Sequence, residues 1–393
     1  MRLSKKITLP IVLLFALLSS AAMANMPIIP TSPELAAKAW ILMDANTGQI
    51  LVEHEADKRL PPASLTKIMT AYVAADALKR GTVNMSDKVR ISIKAWKTGG
   101  SRMFVREGTY VSLEDLLRGM IVDSGNDASV AIAQHVAGST DAFVDLMNQH
   151  ALRLQMMDTH YMNVDGLPHK DHYATPHDLA KLTIALINQF PDFYKIFSEK
   201  YFTYNNIRQA NRNELLWRDP SVDGVKTGHT ESAGYCLVAS AKRRGMRLVS
   251  VVMGTSSEDA RATESQKLLT YGFRYFSTVH LYAAGDSLKK VRVWKGQQNA
   301  VGIGLPEDAV LTIPRGARKE LKATMQIDDV VEAPVKVGDQ LGQLVISMDG
   351  KQVYESPLLA ITPVPRAGFI SRMWDAIDLF FVQLFGGDTS SPG

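Results

Sequence analysis

Serine, lysine and threonine side chains occur in three short groups whose spacing could support acyl transfer. In the first group, Pro61-Pro62-Ala63-Ser64-Leu65-Thr66-Lys67, a serine and a lysine are three residues apart. On a helix, residues i and i+3 share one face, so Lys67 would reach the Ser64 hydroxyl. A serine hydroxyl is a poor nucleophile until a base takes its proton, and a lysine amine can be that base once burial or a neighbouring cation lowers its pKa. Ser64 and Lys67 are therefore candidates for a nucleophile and its general base.

The second and third groups carry further polar side chains. Asp123-Ser124-Gly125-Asn126-Asp127 is a turn-prone segment between two apolar stretches. It could expose Ser124 and Asn126 to a cavity, although taken alone it is an ordinary helix connection. Val222-Asp223-Gly224-Val225-Lys226-Thr227-Gly228-His229-Thr230 continues into a strand pattern from Gly234 to Ser240. A lysine and a threonine at such a strand edge would face a cleft.

Each group alone is a weak indication, because the chain repeats two of the patterns by chance. Ser287-Leu288-Lys289-Lys290 has the spacing of the first group, and Lys97-Thr98-Gly99 repeats the core of the third. No strand pattern continues from Lys97. The signal comes from the order of the three groups, which are about 60 and 100 residues apart.

Local patterns predict the elements that would position these groups. A hairpin is predicted from Ala39, with its turn at Asn46-Thr47-Gly48, followed by a helix that carries Ser64 and runs to Leu78. Residues 201–204 and 215–217 show no clear regularity. From about Tyr282, short valine-rich runs alternate with Gly, Pro and Asp turns, which indicates an all-β module. Further helices are predicted over 113–122 after a Ser112 cap and over 128–136, 143–154, 177–187 and 259–276, with strands near 89–93 and 248–253.

The first 24 residues have the pattern of a signal peptide for export. Arg2, Lys5 and Lys6 precede an apolar run over 7–18, and Ala22-Met23-Ala24 matches an A-x-A cleavage site. The alternative is an uncleaved anchor, for which the apolar run is short. Cleavage would remove three positive charges and lower the formal net charge from +4 to +1. The basicity therefore gives no argument for nucleic-acid binding.

Residues 369–385 have the pattern of an amphipathic helix. Aromatic and aliphatic residues recur at helical spacing, while Arg372, Asp375 and Asp378 fall mainly on the opposite side. Charges interrupt the run, and it is about one membrane-width at most, so we expect it to lie on a bilayer surface without crossing it. The alternative is an amphipathic helix packed on a protein core.

Composition excludes several other classes of protein. The chain has 393 residues, 46% hydrophobic and 21% charged, which is typical of a globular protein with two or more domains. Cys236 is the only cysteine, so neither an intramolecular disulfide nor a cysteine metal cluster is expected. The sequence contains no H-E-x-x-H motif, EF-hand loop or Walker loop. We therefore predict no metal and no cofactor.

Together, the three groups resemble the motifs of the penicillin-recognising serine enzymes. The wider segments, with Leu268-Leu269-Thr270-Tyr271-Gly272-Phe273-Arg274-Tyr275-Phe276, are similar to those of type-5 D-alanyl-D-alanine carboxypeptidases. The resemblance covers nearly the whole chain. It implies an α/β domain of the β-lactamase/transpeptidase type over 37–277, with a sheet flanked by helices and a helical subdomain. Around it would lie a signal peptide (1–24), an N-terminal extension (25–36), an all-β domain (278–365) and an amphipathic membrane-surface helix with its tail (366–393).

The resemblance also implies catalytic roles. Ser64 would attack the carbonyl between two D-alanines, and Lys67 would take its proton. Lys226 would help keep Lys67 neutral through like-charge repulsion. Ser124 would relay a proton to the leaving amine, and the backbone N–H groups of Ser64 and His229 would form an oxyanion hole.

A second set of residues would bind the substrate by the same resemblance. Asn126 would hold a substrate amide. Thr227 and Arg261 would bind the free carboxylate, for which a guanidinium is geometrically suited, with Gly228 in the same strand. The alternative for Arg261 is an exposed helix arginine. Arg212 would lie at the cleft edge.

The resulting hypothesis is a D,D-carboxypeptidase at the periplasmic face of the inner membrane. It would trim the terminal D-alanine from peptidoglycan pentapeptide stems, and β-lactam antibiotics would acylate the same serine. No glutamate occurs from Asp127 to Ser198, so the deacylating base of class A β-lactamases is missing. Two alternatives remain: a catalytically weak binder of peptidoglycan stems, and a β-lactamase, which rapid turnover of penicillin would distinguish. The loop from Lys94 to Phe104 borders the active site in relatives, so its form could alter the deacylation rate or the substrate range.

Overall fold

A five-stranded antiparallel sheet organises the first part of this computed structural model, which describes residues 28–385. The strand order is 2-1-9-8-7, so strands from the two ends of this part lie side by side. The elements in chain order are β1 (Ala39–Asp44), β2 (Ile50–His54), α1 (Thr66–Lys79), β3 (Lys88–Arg90), α2 (Ile93–Lys97), β4 (Tyr110–Ser112), α3 (Leu113–Ile121), α4 (Asn126–Ala137), α5 (Thr140–Arg153), α6 (Pro176–Gln189), α7 (Pro191–Tyr194), β5 (Tyr201–Tyr204), β6 (Ile207–Ala210), α8 (Leu215–Arg218), β7 (Val222–Thr230), β8 (Gly234–Arg243), β9 (Met246–Thr255) and α9 (Glu258–Tyr275).

The sheet is covered on both faces, and β1 shows why. All six residues of β1 are buried, and successive side chains of a strand point to opposite faces. Ile41 and Met43 pack into the core shared with the inserted helices, whereas Trp40 and Leu42 pack into the core that includes α9. The chain between β2 and β7 supplies the inserted helices, so the helical part interrupts the sheet in sequence. This confirms the predicted α/β arrangement with a sheet flanked by helices.

Local signals placed several helices correctly. Ser112 caps α3 as expected, because its hydroxyl accepts a hydrogen bond from the Asp115 N–H at 3.1 Å. The helices predicted over 143–154, 177–187 and 259–276 are α5, α6 and α9, with boundary shifts of a few residues. The helix predicted from 128 begins earlier, at Asn126.

Three expectations need correction. Residues 215–217, for which the sequence showed no clear regularity, lie in the short helix α8. Ser64 does not lie on the α-helix; it lies in a 3-10 turn over Ala63–Leu65 that leads into α1 at Thr66. Residues 201–204 are regular after all, since β5 pairs with β6 in an antiparallel hairpin. Only Phe202 of its eight strand residues is buried, so the hairpin carries little of the apolar signal from which a strand is predicted.

The second part is the predicted all-β module. Its elements are β10 (Phe276–Tyr282), β11 (Lys289–Arg292), β12 (Ala300–Gly304), β13 (Ala309–Pro314), β14 (Leu321–Ile327), β15 (Gln340–Met348) and β16 (Lys351–Ala360). β11, β12, β16, β15 and β14 form one sheet in that order, and β10 pairs with β13. Asp44, at the end of β1, accepts hydrogen bonds from the hydroxyls of Thr278 (2.5 Å) and Thr312 (2.6 Å). A buried carboxylate therefore ties the two parts together.

The terminal segment forms the helix α10 (Phe369–Leu384), which confirms the predicted helix. Its Asp375 carboxylate accepts a hydrogen bond from the Lys295 N–H of the β module at 2.7 Å, and Leu379 is buried. Most of its apolar side chains are exposed, namely Phe369, Ile370, Met373, Trp374, Ile377, Phe380, Phe381 and Leu384. Within residues 28–385, no helix combines the length and apolar character needed to cross a membrane. The predicted signal peptide lies outside the described residues.

Candidate active site

The nucleophile candidate sits in a tightly packed turn, residues 62–65, which we call the nucleophile turn. Ala63 has a φ of 48°, in the left-handed region that costs a residue with a Cβ roughly 1–2 kcal/mol. Gly166 packs directly against the turn, since a Cβ at this position would lie 1.8 Å from the Ala63 carbonyl oxygen. Gly228 approaches from the sheet, where a Cβ would lie 3.0 Å from the Pro62 carbonyl oxygen. Surrounding packing therefore stabilises a conformation that the turn would not favour alone.

Lys67 is in contact with Ser64, as the spacing predicted. Its Nζ lies 3.0 Å from Ser64 Oγ, 2.7 Å from Asn126 Oδ1 and 2.6 Å from the Asp165 carbonyl oxygen. A neutral amine has two N–H donors and one lone pair. If the donors bind Asn126 and Asp165, the lone pair is left for the Ser64 hydroxyl proton. This geometry suits a general base.

Burial lowers the pKa of Lys67 to about 7. The side chain is 1% exposed, and desolvation disfavours the ammonium form. Arg212 adds repulsion, whereas Asp165 and Asp127 act in the opposite direction. The sequence pointed to Lys226 as the cation that keeps Lys67 neutral. In the structure burial is the largest cause, and Arg212 adds repulsion. Lys67 and Lys226 also repel each other, which lowers the pKa of Lys226.

A second serine–lysine pair lies opposite the first. Ser124, at a φ of 59° in the turn before α4, accepts a hydrogen bond from Lys226 Nζ at 3.0 Å. Lys226 is 3% exposed, and it also donates to the Thr227 carbonyl at 3.2 Å. Burial, followed by repulsion from Lys67, Arg212 and Arg261, holds the pKa of Lys226 well below its ordinary value. The fold thus brings together the three sequence groups that contain Ser64, Ser124 and Lys226.

Asn126 connects the lysine to a neighbouring loop. Its Nδ2 donates to the Gly99 carbonyl at 2.8 Å while its Oδ1 accepts from Lys67. Its backbone N–H donates to the Ser101 carbonyl at 2.7 Å. A Cβ at Gly100 would lie 2.6 Å from the Asn126 amide nitrogen, so this loop approaches the site closely. Asn126 therefore has a positioning contact that the sequence did not predict.

Asp127 fixes the same loop, residues 99–105, which we call the strap. Its buried carboxylate accepts hydrogen bonds from the N–H groups of Met103 (3.0 Å), Phe104 (2.9 Å) and Val105 (3.2 Å). Arg212 adds a hydrogen bond to the Ser101 hydroxyl at 2.7 Å. The strap overlaps the loop from Lys94 to Phe104 that the sequence singled out, and the Asp127 carboxylate holds it in place.

The remaining predicted binding residues lie on β7 and beside it. β7 is at the edge of the sheet, so within residues 28–385 it has a strand partner on one side only. Thr227 is buried, and the exposed His229 stacks on Tyr235 with ring centroids 4.0 Å apart. Arg261, on α9, is 3% exposed and not the exposed helix arginine of the alternative interpretation. Its guanidinium lies 3.4 Å from the Arg212 carbonyl oxygen.

Sequence reasoning missed several acidic residues at this site. Asp127 and Asp165 belong to no acyl-transfer pattern, and the contact of Asp165 with Lys67 uses its backbone carbonyl. Asp123 is 1% exposed, and neither carboxylate oxygen has a hydrogen-bond partner in the described part of the chain. Burial and the nearby Asp127 raise the pKa of Asp123 to about 7. No group of three His, Cys, Asp or Glu side chains within residues 28–385 could hold a metal ion.

The Lys67 pKa predicts how acylation depends on pH. Only the neutral amine can take the Ser64 proton, so the acylation rate should rise with pH and reach half its maximum near pH 7. Stopped-flow acylation with benzylpenicillin between pH 5 and pH 9 measures this. Lys67→Arg should react at least about 1,000-fold more slowly throughout, because a guanidinium stays protonated. Lys79→Arg, on the exposed side of α1, is the matched control; a flat wild-type profile would contradict the assignment.

The strap predicts a second effect. Asp127→Asn places an N–H₂ donor against backbone N–H groups, so residues 103–105 should detach and acylation should slow about 10- to 100-fold. Hydrogen exchange at these amides should become faster in the same variant. Asp141→Asn, on the exposed face of α5, removes a charge elsewhere and serves as the control. Unchanged protection of residues 103–105 would show that Asp127 does not hold the strap.

Comparison with known proteins agrees with this geometry. A family model described as D-alanyl-D-alanine carboxypeptidase matches residues 26–257, and one described as Penicillin-binding protein 5, C-terminal domain, matches residues 276–366. D-alanyl-D-alanine carboxypeptidase DacC of Escherichia coli (strain K12) is 44% identical over 363 residues, which cover 90% of this chain and 91% of that protein.

Solved structures are similar over most of the chain. Penicillin-binding protein 5 from Haemophilus influenzae has a TM-score of 0.82 and 42% identity, covering 86% of this chain and all of that one. Penicillin-binding protein D2 from Listeria monocytogenes, solved in an ampicillin-bound form, has a TM-score of 0.58 and 28% identity. It covers 62% of this chain and all of that one. The chain therefore belongs to the D-alanyl-D-alanine carboxypeptidase family, as its three motifs predicted.

Proposed function

We propose that this chain is a serine-type D-Ala-D-Ala carboxypeptidase that uses Ser64 as its nucleophile and removes the terminal D-alanine of peptidoglycan pentapeptide stems. The observation that carries the assignment of residues is the 3.0 Å contact between Lys67 Nζ and Ser64 Oγ. The amine is buried, has a pKa of about 7 and has its other contacts on carbonyl oxygens. This is the arrangement that serine activation requires.

Acylation begins with transfer of the Ser64 proton to Lys67 as Oγ attacks the scissile carbonyl carbon. The backbone N–H groups of Ser64 and His229 stabilise the oxyanion that forms. When the intermediate collapses, the C–N bond breaks, and Ser124 relays the proton that Lys67 took from Ser64 to the departing D-alanine amine. Lys67 is thereby returned to its neutral form and Ser124 keeps its hydroxyl proton. The hydrogen bond from Lys226 to Ser124 supports this relay.

The terminal carboxylate of the substrate binds on the other side of the scissile bond. Arg212 and Arg261 lie close enough to Lys226 to lower its pKa by charge repulsion. A substrate carboxylate beside Thr227 and Arg261 relieves that repulsion, so binding is selective for a free C-terminus. This is the requirement of a carboxypeptidase.

β-Lactams acylate the same serine, because they present a strained amide carbonyl beside a carboxylate. The ampicillin-bound structure of the Listeria relative supports this proposal. The segment from Asp127 to Ser198 contains no glutamate, so the penicillin acyl-enzyme should persist.

The function is tested by D-alanine release from diacetyl-Lys-D-Ala-D-Ala. Wild-type protein should release D-alanine, and Ser64→Ala should lose at least about 1,000-fold in kcat, because no other group forms the acyl-enzyme. Ser287→Ala, the serine of the chance repeat in the β module, should retain wild-type activity. Release by Ser64→Ala at the wild-type rate would refute the assignment, and no release by wild type would favour the stem-binding alternative.

We further propose that the chain is exported and acts at the periplasmic face of the inner membrane. The signal-peptide pattern over residues 1–24 and the exposed aromatic side chains of α10 support this location. Asp375 anchors the polar side of the helix on the β module, which leaves the apolar side free for a bilayer.

Membrane attachment predicts a specific loss of vesicle binding. Trp374→Asp places a charge on the apolar side of α10 and should weaken sedimentation with phosphatidylethanolamine–phosphatidylglycerol vesicles about tenfold or more. Val337→Asp introduces the same charge at an exposed apolar position of the β module and is the control. Equal binding of both variants would contradict attachment through α10.

A further inference from the structure

A cavity of about 540 Å³ opens beside the nucleophile turn. One wall is formed by Pro62 and Ala63 of that turn, and another by Thr230 at the end of β7. A third wall is the loop between α5 and α6, which includes Gly166 and Lys170. The cavity therefore shares its borders with the site that contains Ser64 and His229.

The proposed direction of the substrate leads into this cavity. The terminal carboxylate lies near Thr227 and the scissile carbonyl near the His229 N–H, so the preceding residues of the stem extend towards Thr230. An extended chain along the free edge of β7 advances about 3.3 Å per residue. The residue before the first D-alanine then comes opposite Thr230, and the next one passes the end of the strand. This step rests on the proposed function.

The walls of the cavity are positively charged. Arg59, His169 and Lys170 line it, and none of its lining residues is Asp or Glu. Arg59 is already paired with Asp158 at 2.7 Å. Lys170 is exposed, and within residues 28–385 its ammonium group has neither an ion pair nor a hydrogen bond. Lys170 is therefore the cation available to a ligand.

Two acidic residues lie near these walls without lining the cavity. Asp171 follows Lys170 and is 4.0 Å from His169, and Glu231 is at the exposed turn after Thr230. The Asp171 carboxylate is oriented towards the His169 ring, so it weakens anion binding at His169 more than at the Lys170 ammonium group. The lining of the cavity still favours an anion, because Lys170 and Arg59 line it whereas Asp171 and Glu231 do not.

We propose that this cavity is a subsite for a carboxylate of the peptidoglycan stem, on the acyl side of the scissile bond, with Lys170 as its main binding residue. A stem supplies such a carboxylate from its second residue, a D-glutamate, or from a diamino acid at its third position. The shared chemistry is an acidic group about one or two residues before D-Ala-D-Ala. The subsite would make the enzyme prefer acidic stems to neutral ones.

The test compares kcat/KM for matched peptides ending in D-Ala-D-Ala. In the first pair, the residue before D-Ala-D-Ala has a free side-chain carboxylate in one peptide and an amidated one in the other. In the second pair, the same difference is placed one residue earlier. Wild type should prefer the free carboxylate about two- to fivefold in one pair, the range expected for an exposed ion pair. The preferred pair identifies which stem residue supplies the group.

Substitutions then assign the preference to Lys170. Lys170→Gln should reduce the ratio of free to amidated peptide to near one, and Lys170→Glu should reverse it. Lys351→Gln removes the same charge from an exposed strand of the β module and should keep the wild-type ratio. Equal use of free and amidated peptides by wild type would overturn the subsite while leaving D-alanine release, and thus the proposed function, intact. A Lys170→Gln variant that slows all peptides equally would also overturn it.

Discussion

A lysine amine that is almost completely removed from water is the constraint on which this site depends. At 1% exposure the ammonium form of Lys67 loses most of its hydration, and its pKa falls to about 7. An ordinary surface lysine would stay protonated and could not take a proton from a serine. Burial therefore lowers the pKa of Lys67 enough for it to act as a base, and hydrogen bonds to the neighbouring carbonyl oxygens orient its amine. If Asn126 and Asp165 accept the two hydrogens of the neutral amine, its lone pair faces Ser64.

Several structural features exist to keep that amine buried and in place. The nucleophile turn accepts a left-handed alanine because Gly166 and Gly228 let two backbone segments approach it. The strap closes over Asn126, and Asp127 fixes it through three backbone N–H groups. These contacts join segments that are far apart in the chain. The edge strand β7 then leaves room for an extended substrate next to the nucleophile.

The sequence identified the groups that the fold brings together at the candidate site but not the contacts that orient them. Ser64–Lys67, Ser124–Asn126 and Lys226–His229 were visible because each is a local pattern, and their fixed order carried the resemblance. The 3-10 turn at Ser64 was missed, since the apolar run after it suggested one continuous helix. The roles of Asp127 and of the Asp165 carbonyl depend on contacts between segments tens of residues apart, which periodicity does not report. Asp123 was missed for the same reason, because only the fold shows that it is buried without a partner.

Serine activation requires that the Lys67 amine lose its proton near neutral pH, far below the range of an ordinary lysine. Its Nζ chemical shift can be followed by NMR in protein labelled with ¹⁵N-lysine, and the Lys67→Arg variant assigns the signal. We expect a titration midpoint near pH 7, with the chemical shift of the free amine above that pH. An ammonium shift that persists to pH 9 would contradict it, because Ser64 would then have no base at its side.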